Sequence, residues 1–80
     1  MNAYIMNAYT TPLIKQAAMN AFTSDEARYE NFVLVVDMGM NEFSVIDYDN
    51  SFNALIPTPA DIAEGALYIV DRKRKITEFS

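Results

Sequence analysis

Apolar and polar positions along this chain follow two periods, and the switches between them mark its elements. From Leu13 to Phe22 the apolar residues Leu13, Ile14, Ala17, Ala18, Ala21 and Phe22 fall on one helical stripe, with Lys15, Gln16 and Asn20 off it. Thr11-Pro12 supplies the start, because threonine caps free N–H groups and proline fits the first turn, where its missing donor costs nothing. The main helix is therefore predicted over residues 12–22, and its small alanines predict close approach to a sheet. Thr23-Ser24-Asp25-Glu26 reads as a capping box for a further short helical turn ending near Glu30.

The period then changes. Phe32-Val33-Leu34-Val35-Val36-Asp37 is a β-branched run too short for a typical helix, which predicts a strand covered on both faces. Glu42-Phe43-Ser44-Val45-Ile46-Asp47-Tyr48 is a second strand, joined to the first through Met38-Gly39-Met40-Asn41. A two-residue turn on Gly39-Met40, or a four-residue loop over residues 38–41, sets Asp37 opposite Glu42, Val36 opposite Phe43 and Leu34 opposite Val45. With Phe32 these make one apolar face, the face expected under the helix. The opposite face then carries Val33, Val35 and Ile46 together with Ser44, Asp37 and Glu42.

Asp49-Asn50-Ser51-Phe52-Asn53 is turn chemistry, and Thr58-Pro59-Ala60-Asp61 repeats the Thr-Pro start for a short helix over residues 59–64, stopped by Gly65. Ala66 to Asp71 is a third strand. Lys75 to Phe79 alternates and pairs with it across a turn at Arg72, Lys73 and Arg74, where charge suits an exposed edge. The fold predicted is a small α+β domain: an antiparallel sheet of three to five strands on one main helix, with a short second helix. All of residues 1–80 are assigned to that single domain, and residues 1–9 read either as an edge strand, over 3–9, or as a loose N-terminus.

That N-terminus contains a duplication, Met1-Asn2-Ala3-Tyr4 and Met6-Asn7-Ala8-Tyr9, with a near-copy at Met19-Asn20-Ala21-Phe22. An offset of five residues superposes neither strand nor helix positions, so this is no structural repeat; Met6 reads as a second start site and residues 1–5 as dispensable.

Composition narrows the chemistry. With 80 residues, no Cys and no His, the chain has no disulfides, no usual zinc ligands and none of the commonest acid–base or thiol groups. Its two glycines both have local turn duties, so there is no phosphate-binding loop. Asp47-Tyr48-Asp49-Asn50-Ser51 resembles the start of an EF-hand calcium loop, but Phe52, Leu55 and Thr58 occupy positions needing Gly, a ligand and a bidentate Glu. The expectation is no enzyme, no catalytic residues, no metal site and no cofactor. No apolar run is long enough to cross a membrane and no secretion signal is evident, so a cytoplasmic protein without membrane contact is expected.

Charge supplies the functional expectation. The net charge is −5, with ten acids against two bases before Arg72, and four bases against Glu78 after Asp71. Such a body repels nucleic acid and favours a basic partner, although acidity also serves solubility. The basic run Arg72 to Lys75 lacks interleaved aromatics and reads as a solvated turn. The partner-binding residues expected are Asp37, Glu42, Asp47, Tyr48 and Asp49: carboxylates for Lys or Arg, with a tyrosine for amphipathic contact. The leading reading is a small acidic binding or inhibitor protein that occupies a basic surface of a larger, nucleic-acid-binding protein. Its sharpest form is a phage-type nucleic-acid mimic of the anti-CRISPR or anti-restriction kind, an analogy of size and charge. The alternative is a self-assembling structural protein or a homodimeric accessory protein, favoured by apolar residues on both faces of residues 33–36 and by open edge strands.

Overall fold

The structure is a computed structural model that describes residues 7–79 and the backbone of residues 2 and 3. The elements run β1 (Asn2–Ala3), α1 (Thr11–Phe22), β2 (Phe32–Gly39), β3 (Glu42–Asp49), a 3₁₀ turn (Phe52–Ala54), α2 (Pro59–Glu64), β4 (Leu67–Asp71) and β5 (Ile76–Phe79). All strand pairs are antiparallel and the order across the sheet is β1-β5-β4-β2-β3. The α+β expectation holds, with four main strands, a two-residue β1, one main helix and a short second one.

β2 lies beside β3 and β4, and its residues Val33 to Val36 are all buried, because both sheet faces are covered by the chain itself. On one face α1 sets Ile14, Ala18, Ala21 and Phe22 against Val33, Val35, Tyr68 and Val70, with Phe43, Val45 and Ile76 at the margin. Ala18 is fully buried, and a methyl there lets the helix backbone come close to the strands. On the other face Leu34, Val36, Leu67 and Ile69 are covered by Leu55 and Phe52 from the connection between β3 and β4. A Phe32–Phe52 edge-to-face pair, 5.8 Å between centroids, closes one end of this second layer.

The helix therefore covers the Val33/Val35 face of β2, not the predicted Phe32/Leu34/Val36 face. The reason lies in the hairpin register. Met40 and Asn41 form the two-residue turn, at φ 53° and 62°, as a type I′ turn requires, and Glu42 pairs with Gly39. Asp37 pairs with Phe43, and Val35 with Val45. A bulge at Met38 on β2 and another at Ile46 on β3 each shift the register by one residue. Since side chains alternate with period two, one slip transfers β2 residues to the other face while Phe43 and Val45 stay under the helix.

Three local assignments also differ. Thr11 does not cap α1: it is buried within the first turn, its hydroxyl accepting from Asn7 N at 3.1 Å, while Asn7 Oδ1 accepts from the N–H groups of Tyr9 and Thr10. Thr23 opens no second helix, because residues 24–29 are turns and Thr23 terminates α1, its N–H and hydroxyl both donating to Met19 O. The N-terminal edge strand is at Asn2–Ala3, against Glu78 and Thr77 of β5, and Ala8 to Thr10 form a turn. Tyr4, Ile5 and Met6, which belong to the duplication and to the proposed second start, lie outside the described residues. By contrast Thr58 does form a capping box with Asp61, with Thr58 N donating to Asp61 Oδ2 at 2.9 Å and Asp61 N to Thr58 Oγ1 at 3.2 Å.

Candidate functional site

β3 is the last strand of the sheet, and among the described residues no strand pairs with its outer edge. Four of the five predicted contact residues lie on it: Glu42, Asp47, Tyr48 and Asp49. Asp37 is on β2, half-buried, with Oδ1 accepting from Gly39 N at 2.8 Å. That bond shapes the Met38 bulge, so Asp37 is committed to the turn. Because Asp37 faces Phe43 and Glu42 faces Gly39, the two acids are not cross-strand partners, and the like-charge repulsion expected between them is not built into the ladder.

The remaining acids fall into two groups. Glu42 stands exposed beside the turn, whereas Asp47 and Asp49 sit at the far end of β3. Seven residue steps along the strand separate Glu42 from Asp49, roughly 23 Å. Asp47 Oδ1 accepts from Tyr48 N at 2.8 Å and Asp49 Oδ1 from Ser51 N at 2.9 Å, leaving each carboxylate its second oxygen for solvent or a partner. The one ion pair among the described residues joins Asp25 to Arg28 at 3.0 Å, so none of the β3 carboxylates has a cation of its own.

The bulge at Ile46 brings Asp47 and Tyr48 to a surface groove of about 340 Å³ lined by Glu26, Val45, Ile46, Asp47 and Tyr48. Glu26 was not among the predicted contact residues. It belongs to the 23–30 turn segment, and a residue remote in sequence holds that segment in place. The Arg72 guanidinium donates to the carbonyls of Ala27 (3.1 Å), Arg28 and Glu30 (2.6 Å), and stacks over the Phe22 ring at 4.8 Å. The basic run is thus only partly the solvated turn expected. Arg72, Lys73, Arg74 and Lys75 are all exposed, and the Arg72 guanidinium is in addition a latch between the end of β4 and the wall of the acidic groove.

The basic turn itself is organised by Asp71, whose Oδ1 accepts from Lys73 N at 2.8 Å and Lys75 N at 2.9 Å. Phe32 pairs with both Asp49 and Asp71, so the acidic end of β3 and the basic turn share one end of the sheet. Two strand spacings, about 10 Å, separate them, slightly more than the screening length of about 8 Å at physiological salt. Each patch therefore acts locally.

Among the described residues no three Asp or Glu side chains assemble as a metal site, and no helix is long and apolar enough to cross a membrane. Asp47-Tyr48-Asp49, the start of the calcium-loop resemblance, is strand. No protein-family model matches the chain, and neither a curated protein nor a solved structure matches it.

Proposed function

We propose that this protein is a non-enzymatic binding protein that uses the acidic side of β3, with Glu26, to occupy a basic surface of a larger protein. The observation that carries the reading is the placement of Glu42, Asp47 and Asp49 along a sheet edge where, among the described residues, neither a further strand nor a cation meets them, with Asp47 also lining one groove beside Glu26 and Tyr48. In its sharpest form the carboxylates stand in for phosphates and block a nucleic-acid site, as an inhibitor of CRISPR or restriction machinery would. The homodimer alternative draws less support, because the two apolar faces of Val33 to Val36 that favoured it are already covered by α1 and by the Phe52–Leu55 connection.

The test is capture of a partner from the native host at low salt and at about 0.5 M salt, where the screening length falls to roughly 4 Å. The wild type is compared with the triple variant Glu42→Gln/Asp47→Asn/Asp49→Asn, which keeps the backbone-accepting Oδ1 atoms. A basic protein retained by the wild type at low salt, and lost both at high salt and from the variant, supports the reading. Equal capture by the variant removes the β3 acids, and a salt-insensitive dimer with no basic partner favours self-assembly.

A further inference from the structure

The position of the acids on an open strand, and not on a helix or a closed surface, bears on what form the partner takes. A sheet edge offers a row of unpaired N–H and C=O groups, and an extended segment satisfies them by adding as a further strand. β3 presents such an edge for eight residues, regular from Glu42 to Val45 and then broken by the Ile46 bulge, which opens the groove between Glu26, Asp47 and Tyr48. We propose that β3 is the docking edge for an extended Lys- or Arg-bearing peptide segment of the partner, which pairs along Glu42–Val45 and places a cationic side chain in that groove.

The choice of occupant follows from charge. A second copy pairing antiparallel through the middle of β3 sets Glu42 against Asp49 twice and Ser44 against Asp47 twice. Shifting that register by two residues toward the turn sets Glu42 against Asp47 instead. Like charges directly opposite are destabilising, so the edge resists its own copies. A segment with Lys or Arg at alternate positions meets the same carboxylates as opposite charges, and the chain's one described ion pair leaves them available. The bulge, which in a protected edge would simply end pairing, here lies at a groove that Asp47 and Tyr48 of β3 line together with Glu26. The cationic stem would lie along Val45 and Ile46 with its charge between Glu26 and Asp47.

This inference rests on the acidic-edge reading, and the experiment separates the two. The probes are the capped peptide of four Lys-Thr repeats, the matching Glu-Thr peptide, and a Lys-Thr peptide N-methylated at alternate residues to remove one edge of hydrogen bonds. Binding to the full chain is followed by amide shifts and amide exchange. The expected result is that the Lys-Thr peptide shifts and protects β3 amides, that N-methylation weakens it at least about tenfold, and that Glu26→Gln or Asp47→Asn each weaken it about two- to fivefold. Equal binding of the N-methylated peptide overturns strand addition while leaving the acidic edge as the contact surface. Lys-Thr shifts away from β3, or equal binding of the Glu-Thr peptide, overturns both. Protection of β3 amides in a concentration-dependent dimer of the free protein overturns the peptide in favour of a second copy.

Discussion

Replacing Gly65 with alanine should destabilise this protein more than the same change at Gly39, its other glycine. A Cβ built on Gly65 lies 2.1 Å from the Asp37 carbonyl oxygen and 3.3 Å from its carbon. The obstructing atom is backbone of the central hairpin, so no rotamer change relieves it: either β2 or the α2–β4 junction must move by about 1 Å. That junction is also where Asp37 N donates to Ala66 O at 2.8 Å, the bond that extends β4 pairing beyond Leu67. Overpacking of this kind costs about 1–3 kcal/mol and a strained or lost backbone hydrogen bond about 0.5–1.5, less about 0.4–1 returned through the stiffer unfolded chain. The net is about 0.5–4 kcal/mol, centred on about 2, against roughly 4–12 expected for a domain of this size. Urea unfolding followed by circular dichroism should show the midpoint falling by about 0.5–3 M with unchanged slope, and exchange at the Asp37 amide should lose protection. Gly39→Ala is the internal comparison, because its Cβ meets nothing within 4 Å although φ is +86°. It should cost about 1 kcal/mol through conformation alone. A Gly65→Ala loss below 0.5 kcal/mol, or no larger than that of Gly39→Ala, would refute the close-approach reasoning, with both thresholds set by the same estimates.

Arg72→Lys should destabilise by about 1–3 kcal/mol and speed exchange at amides 27–31, since one ammonium cannot replace a planar group serving three carbonyls; unchanged exchange would remove the latch. Met40→Asn with Asn41→Gly should stabilise by about 0.5–2 kcal/mol, because both positions have positive φ and Asn-Gly is the favoured type I′ pair; a loss of stability would contradict the turn assignment. Thr58→Ala should cost about 0.5–2 kcal/mol through loss of the capping box, with a smaller cost for Thr58→Ser, and equal losses for the two would count against the cap.

The elements were legible where periodicity and punctuation act within a few residues. The stripe from Ile14 to Phe22, the run Val33 to Val36 and the Thr58-Pro59 cap each specify their structure locally. The sheet face under the helix was not legible, because Val33, Val35, Leu34 and Val36 are all apolar and period-two reasoning cannot rank two buried faces. The turn deceived for a related reason. Gly39 offers the obvious positive-φ position, yet the chain places Met40 and Asn41 in the turn and uses the Asp37 side chain to hold a bulge before it. Of the candidate site, the β3 residues could be read from the strand pattern. Glu26 could not, since its position depends on Arg72 reaching across 42 to 45 residues to the 23–30 segment.

The most direct test of the central claim is an amide-shift map of the isotope-labelled protein bound to the partner it captures from its host. The acidic-edge account predicts changes concentrated on Glu42 to Asp49 and around Glu26, with Lys15 of α1 and the Lys73–Lys75 turn unchanged. Changes centred on α1 or on the Lys73–Lys75 turn, with β3 silent, would contradict it.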